Sequence, residues 1–253
     1  MNLSLMGANV TCVGCIGNDS WGKKLLSILK NKGINIDFIE IIDKHPTTLK
    51  QRIYSDGKQV ARLDTETIIN WQPASEMKHG YNNYDIIILS DYNKGVLNHS
   101  WFSMNNLENV IVDPKKDDFS HYSQANIITP NLNELQRASK IEIHDNKSLV
   151  DACNELIQKC NFNYIVAKKG DEGITIVGKN GLIDHIKAHP IENPDVTGAG
   201  DTVVAALSLA YAKTNDIESS SKIANAAAAV VVGKPGTAVV TADELKKKLN
   251  NLN

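Results

Sequence analysis

Short apolar runs of strand length, alternating with helical patterns, constrain this chain more than any other feature. Asp85–Leu89, Asn109–Val112, Asn126–Thr129 and Tyr164–Ala167 are brief, strongly apolar and rich in β-branched residues. Such runs suit strands buried on both faces of a parallel sheet. Val10–Ile16 and Ile36–Ile42 read as further strands, with Asn18, Asp19 or Ser20 placed to cap a helix between them. That helix puts Trp21, Leu25, Ile28, Leu29 and Lys32 on one side and ends at Gly33, a residue suited to the left-handed cap conformation. Helical periodicity returns over 131–140 and 146–160. Strands alternating with helices predict an α/β fold: a doubly wound, mostly parallel sheet with helices on both faces.

One segment breaks the rhythm. Thr48–Tyr54 and Gln59–Leu63 are extended runs separated by Ser55-Asp56-Gly57-Lys58, and Asp-Gly readily takes the positive φ angles of a hairpin turn. Alternation sets Lys50 and Arg52 on one face, with Leu49, Gln51 and Ile53 on the other. A polar hairpin inserted into an α/β protein is a candidate lid or subunit contact. A second hairpin is expected around Lys179-Asn180-Gly181. The C-terminal part reads as helices starting near Gly200, running over Ser219–Val232, and beginning again at the capping-box pattern Thr241-x-x-Glu244.

Composition narrows the functional classes. At 253 residues there is room for one large α/β domain. The net charge is −2 and the Lys-rich stretches are short and scattered, so the basic face of a nucleic-acid binder is missing. The longest apolar run, Ala226–Val232, is far too short to span a bilayer. Four cysteines at this length do not make a disulfide scaffold, and the expected setting is the reducing cytoplasm. Cys12 and Cys15 form a Cys-x-x-Cys that could be redox-active or half a zinc site. They lie in an apolar strand, however, and buried small hydrophobes are the plainer reading.

The sharpest local feature is Asp195-Val196-Thr197-Gly198-Ala199-Gly200-Asp201-Thr202, running directly into an apolar helix. Small residues let backbone approach a ligand closely, and a helix start presents unpaired N–H groups, which together suit a phosphoryl group. An Asp in the first helical turn is favoured in its ionised form by the helix dipole and can take a proton from an attacking hydroxyl. The bare string also reads as a glycine-rich helix cap.

This string resembles the C-terminal signature of the ribokinase-like PfkB sugar kinases. The resemblance implies that Asp201 is the catalytic base and that Gly198, Ala199 and Gly200 hold the transferred phosphate, with ATP and Mg²⁺ as cofactors. No Walker A pattern and no protein-kinase motif set occurs in the chain. Asn131-Leu132-Asn133-Glu134 resembles the family's Asn-x-x-Glu motif, which implies that Asn131 and Glu134 help hold Mg²⁺ and phosphate, often through water. The same four residues also read as a helix cap. Lys168-Lys169-Gly170-Asp171-Glu172-Gly173 resembles the nucleotide-side turn, bringing Lys168, Gly170 and Gly173 near ATP, and Asn225 matches a helix bordering the adenine pocket. Each also has a structural reading, as a glycine turn or as core packing.

Runs over 45–52, 62–64, 89–97, 112–115 and 232–237 resemble one branch, the kinases of D-glycero-β-D-manno-heptose 7-phosphate, which act on the anomeric hydroxyl on the route to ADP-heptose and the lipopolysaccharide core. A phosphorylated substrate needs cations beside its phosphate, and Lys50, Arg52, Arg62 and Lys94 are candidates, with Asp91 as a further substrate-binding residue. Solvated lid charges are the alternative. The resemblance implies one kinase domain over 1–253 with a small β lid at about 46–65, and a homodimer formed through that lid. Met1–Asn9 resembles the end of a family helix that follows a Gly-Gly-x-x-Asn sugar motif and a first strand, so the chain is expected to lack that N-terminal segment. Another sugar as substrate, or a remnant that binds nucleotide without turnover, stay open as alternatives.

Overall fold

The computed structural model describes residues 1–56, 58–72, 83–98, 109–123 and 125–251. A short helix, α1 (Asn2–Leu5), leads into β1 (Thr11–Gly17), α2 (Ser20–Asn31) and β2 (Asn35–Ile42). Asp19 caps α2 by accepting the Gly22 N–H at 2.8 Å, and its second oxygen takes the Thr47 N–H, also at 2.8 Å. One side chain therefore fixes both the helix start and the loop that enters the next hairpin. β1 and β2 pair in parallel, with Val13 opposite Phe38.

The apolar side of α2 differs from a core-facing stripe. Leu29 is buried, but Trp21, Leu25 and Ile28 remain 43%, 37% and 40% exposed. The helix packs on β1 and β2, and a two-stranded unit is too narrow to cover the whole stripe. Cys12 and Cys15 point to opposite faces of β1, as a period of two requires, and all four cysteines are free thiols. Burial pushes the Cys12 and Cys15 thiols up and Cys153 up to about 12, which suits packing rather than redox chemistry.

The hairpin expected between the α/β units is present as β3 (Leu49–Ser55) and β4 (Lys58–Thr65), with Lys50 opposite Asp64 and Arg52 opposite Arg62. Asp56 sits at φ +49°, the positive value that the turn demands. Gly57 lies outside the described residues.

The buried runs form a six-stranded sheet from β5 (Ile87–Ser90), β6 (Val110–Asp113), β7 (Ile127–Ile128), β8 (Tyr164–Lys168), β9 (Ile174–Gly178) and β10 (Gly181–Ile186), neighbouring one another in that order. β5 to β8 are parallel, while β9 and β10 run antiparallel as the second hairpin. Among the described residues β1 and β2 form no ladder with this sheet. Val13, Cys15, Phe38 and Ile42 instead pack side chains against its core.

Alternation along the strands feeds two cores. Val110, Val112, Ile128, Ile165 and Val177 face α3 (Leu132–Ser139) and α4 (Asn146–Cys160), whose Leu135, Leu149 and Leu156 are completely covered or nearly so. Ile111, Ile127, Val166 and Ile176 face α5 (Ala199–Thr214) and α6 (Ile217–Val232). Truncating any of these isoleucines to Ala is expected to cost about 2–5 kcal/mol. A final helix, α7 (Ala242–Asn250), carries the expected capping box between Thr241 and Glu244. No helix among the described residues is long and apolar enough to cross a membrane.

Candidate active site

Because β5 to β8 run the same way, their C-terminal ends bring Asp91, Asp113, Asn131 and Lys168 to one rim of the sheet. Ligands of open α/β sheets bind at that rim. Backbone bonds lock the ends together: the Asp91 N–H donates to Asp113 O at 2.9 Å, and the Lys168 N–H to Pro130 O at 2.8 Å. The start of α5 meets the same rim, since a Cβ built on Gly200 would stand 3.7 Å from Lys168 Nζ.

The loop before α5 is fixed by its own first residue. Asp195 accepts the Thr197 N–H at 3.0 Å and the Gly236 N–H at 2.7 Å, while its N–H donates to Val232 O at 2.9 Å. Hydrogen bonds from Thr197, then the one from Gly236 and the charge of Arg52, hold the Asp195 carboxyl below the usual range. Gly198 takes φ +80° at the N-cap, and no side chain caps the helix. The Ala199 N–H is the exception to the expected anion hole, since it closes a turn on Val196 O at 3.1 Å. Among the described residues nothing accepts from the N–H groups of Gly198, Gly200 or Asp201. Those three are the free donors at the positive end of α5.

Asp201 stands in the first turn of α5, its side chain open to the rim. Burial of the carboxyl among its neighbours pushes its pKa above the ordinary value, and the charge of Asp113 adds to this. A hydrogen bond from Tyr92 Oη at 3.4 Å and the charge of Lys168 pull the other way. The expectation of a carboxylate held firmly ionised by the helix dipole is thus opposed by desolvation. The result is a stronger base than a solvated Asp. Lys168 Nζ itself lies 2.5 Å from Asp113 Oδ1, which also accepts from Thr129 Oγ1 at 3.1 Å.

Asn131 and Glu134 form a full capping box at the start of α3, with both bonds at 2.9 Å, and Lys115 Nζ reaches Glu134 Oε1 at 3.1 Å. Asn131 is bridged to Lys168, so the box borders the rim. Gly170 and Gly173 shape the turn after β8. Gly173 has φ +101°, and a Cβ there would fall 2.1 Å from Ile186 O, so no other residue fits. Asn225 is buried in α6 and donates from Nδ2 to Lys187 O at 2.8 Å, tying α6 to the segment after β10.

Three of the four cations expected to meet a substrate phosphate are paired with acids of the hairpin and its exit. Lys50 Nζ lies 3.3 Å from Asp64 and 3.0 Å from Glu66, Arg62 lies 3.1 Å from Asp64, and Lys94 pairs with Glu66. Arg52 makes no such pair among the described residues, and its charge is felt at Asp195. Asp91 points inward. It is 5% exposed and accepts from Tyr122 Oη at 2.6 Å, Asn93 N–H at 2.6 Å and Lys116 Nζ at 3.2 Å. It shapes the 91–95 loop from below.

Tyr92, Asp113, Lys115 and Glu66 escaped the sequence reading as site residues. An acid ending a wholly apolar strand, as in Val110-Ile111-Val112-Asp113, is a signal that could have found one of them. The others depend on contacts across 109 residues for Tyr92 and 28 for Glu66.

The pfkB family of carbohydrate kinases matches residues 1–244. The bifunctional protein HldE of Sulfurimonas denitrificans is 37% identical over 262 residues, covering 97% of this chain and 54% of its own length. HldE of Coxiella burnetii is 34% identical over 260 residues, covering 100% and 54%. The chain therefore spans about half the length of the curated relatives it matches. Among solved structures, ribokinase of Thermotoga maritima superposes with a TM-score of 0.81 at 21% identity, over 99% of this chain and 84% of its own. Arabidopsis thaliana ribokinase, complexed with ribose and ATP, gives 0.82 at 21% identity over 98% and 84%. The fold is ribokinase-like.

Proposed function

The chain belongs to the pfkB family of carbohydrate kinases, and from that premise we propose that it transfers a phosphoryl group from ATP to the anomeric hydroxyl of D-glycero-β-D-manno-heptose 7-phosphate, as one kinase domain over 1–253 with the hairpin as its lid. The observation that carries this reading is a carboxylate of raised pKa beside free helix-start amides and a lysine, all on one rim. Asp201 takes the proton from the attacking hydroxyl, and the N–H groups of Gly198, Gly200 and Asp201 hold the charge that builds on the transferred group. Lys168 places a further cation at the same point. Gly170 and Gly173 shape the nucleotide side through backbone position and Asn225 through its side-chain bond to Lys187 O, and Lys50, Arg52, Arg62 and Lys94 face the sugar phosphate.

Mg²⁺ enters this reading through water. Among the described residues no group of three or more His, Cys, Asp or Glu side chains is gathered for a metal. Asn131 and Glu134 already serve the cap and Lys115, yet each carboxylate oxygen of Glu134 keeps a second lone pair for a bound water. That donor set fits an ion held chiefly by phosphate oxygens and water, which when bound offsets phosphate charge. The proposed setting is the cytoplasm, as part of ADP-heptose and lipopolysaccharide-core synthesis.

The test is ATP turnover by the full chain with heptose 7-phosphate against a panel of hexose phosphates and nucleosides, with Asp201→Asn alongside. Turnover that prefers another sugar redirects the substrate. Calorimetric binding of ATP–Mg²⁺ with no turnover, identical in the Asn variant, would overturn the kinase reading in favour of a nucleotide-binding remnant. A lid-mediated homodimer is proposed as well: Ile53 and Leu63, diagonal neighbours on one face of the hairpin, are 45% and 56% exposed. A monomeric mass in solution refutes it.

A further inference from the structure

Glu66 follows β4 directly and holds two ammonium groups with its two oxygens. Oε2 accepts from Lys50 Nζ at 3.0 Å and Oε1 accepts from Lys94 Nζ. One lysine belongs to the hairpin and the other to the loop after β5, so the carboxylate ties lid to body. Backbone reinforces the join, since the Ile69 N–H donates to Lys94 O at 2.9 Å. The same loop carries Tyr92, whose hydroxyl reaches Asp201. Lys94 also lines a cleft of about 130 Å³, where His45, Thr47 and Thr48 stand against the apolar Ile16, Leu25 and Val96, a mixed lining.

The charge balance favours an anion in the place of this carboxylate. Four cations (Lys50, Arg52, Arg62, Lys94) stand with two carboxylates (Asp64, Glu66), an excess of two positive charges. With Glu66 withdrawn the excess becomes three, enough to hold the dianion of a phosphate monoester above its second pKa of about 6. A carboxylate between two ammonium groups also copies the way two phosphate oxygens meet two cations. The side chains of Lys50, Lys94 and Glu66 are 35%, 35% and 24% exposed, so each pair is weak enough for a dianion to displace.

We propose that Glu66 is a specificity-determining residue, an internal carboxylate that occupies the Lys50–Lys94 pair in the free protein and yields it to the phosphate of a sugar-phosphate substrate. The inference rests on the sugar-phosphate kinase reading. A neutral sugar gains nothing by displacing Glu66, so the lid stays latched and only the anionic sugar opens the cation pair.

The experiment is calorimetry on the full chain, wild type and Glu66→Gln, with three probes: inorganic phosphate, heptose 7-phosphate and the same heptose without phosphate. Glu66→Ala serves as a second variant, and thermal unfolding confirms that both are folded. Removing the competing carboxylate is expected to tighten phosphate and heptose 7-phosphate about fivefold, the equivalent of one exposed ion pair, and to leave the neutral heptose unchanged. Unchanged or weaker phosphate binding in both variants overturns the inference, as does a gain shared equally by the neutral sugar. The two readings fail separately. Wild-type protein that binds heptose 7-phosphate no better than heptose counts against the substrate, while the inorganic phosphate comparison still decides the role of Glu66.

Discussion

Tyr92 Oη stands 3.4 Å from Asp201 Oδ1, joining the loop after β5 to the first turn of α5. The pair links the two halves of the rim, the one that carries Lys94 and the one that carries the proposed base. It also tunes that base, because a donated hydrogen bond favours the ionised carboxylate against burial and the charge of Asp113.

Asp201→Asn should lower kcat by about 10²–10⁴-fold, the usual worth of a general base, while ATP binding by calorimetry persists. Stability should move the other way. A carboxyl with a raised folded pKa contributes stability below the ordinary carboxylate range, and this is lost as pH rises through the raised value. At neutral pH the Asn variant should therefore melt no lower than wild type.

Tyr92→Phe removes the hydrogen bond that pulls the Asp201 pKa down. The acid limb of kcat/KM against pH should shift to higher pH, with kcat at alkaline pH little changed. An unmoved limb would mean that the contact does not persist in the working enzyme.

Lys168→Met leaves Asp113 without its cation at a site where the two side chains are only 15% and 19% exposed. The expected loss is about 1–3 kcal/mol of stability, the cost of an unsatisfied buried group. The Lys168→Met, Asp113→Leu double variant should recover most of that stability in denaturant melts. Turnover should not return, because the cation beside Gly200 is still gone.

Asp91→Ala should behave as a folding variant. Its side chain is 2% exposed and satisfies Tyr122, Asn93 and Lys116, so about 3–5 kcal/mol should be lost in chemical denaturation. A variant of wild-type stability with a raised KM alone would instead make Asp91 a substrate contact.

Gly173→Ala meets a backbone oxygen at 2.1 Å and a φ of +101°. A loss of about 1–3 kcal/mol, read as a lower melting temperature, is expected from strain at such a position.

The sequence by itself determined the local elements, because those follow from short-range periodicity and turn chemistry. The apolar runs became β5 to β8, Asp19 and Thr241 cap the helices they precede, and both Gly-containing hairpins formed. The string 195–202 marked the start of α5 and the proposed base. Tertiary structure alone decided how those parts act on one another. It turned the Ala199 N–H away to Val196, sent Asp91 inward, set Asp113 and Tyr92 in opposition around Asp201, and joined Lys50 to Lys94 through Glu66. The reason is physical. A cap or a turn is settled within a few residues, whereas desolvation and charge depend on whatever distant groups the folded chain brings within a few ångströms.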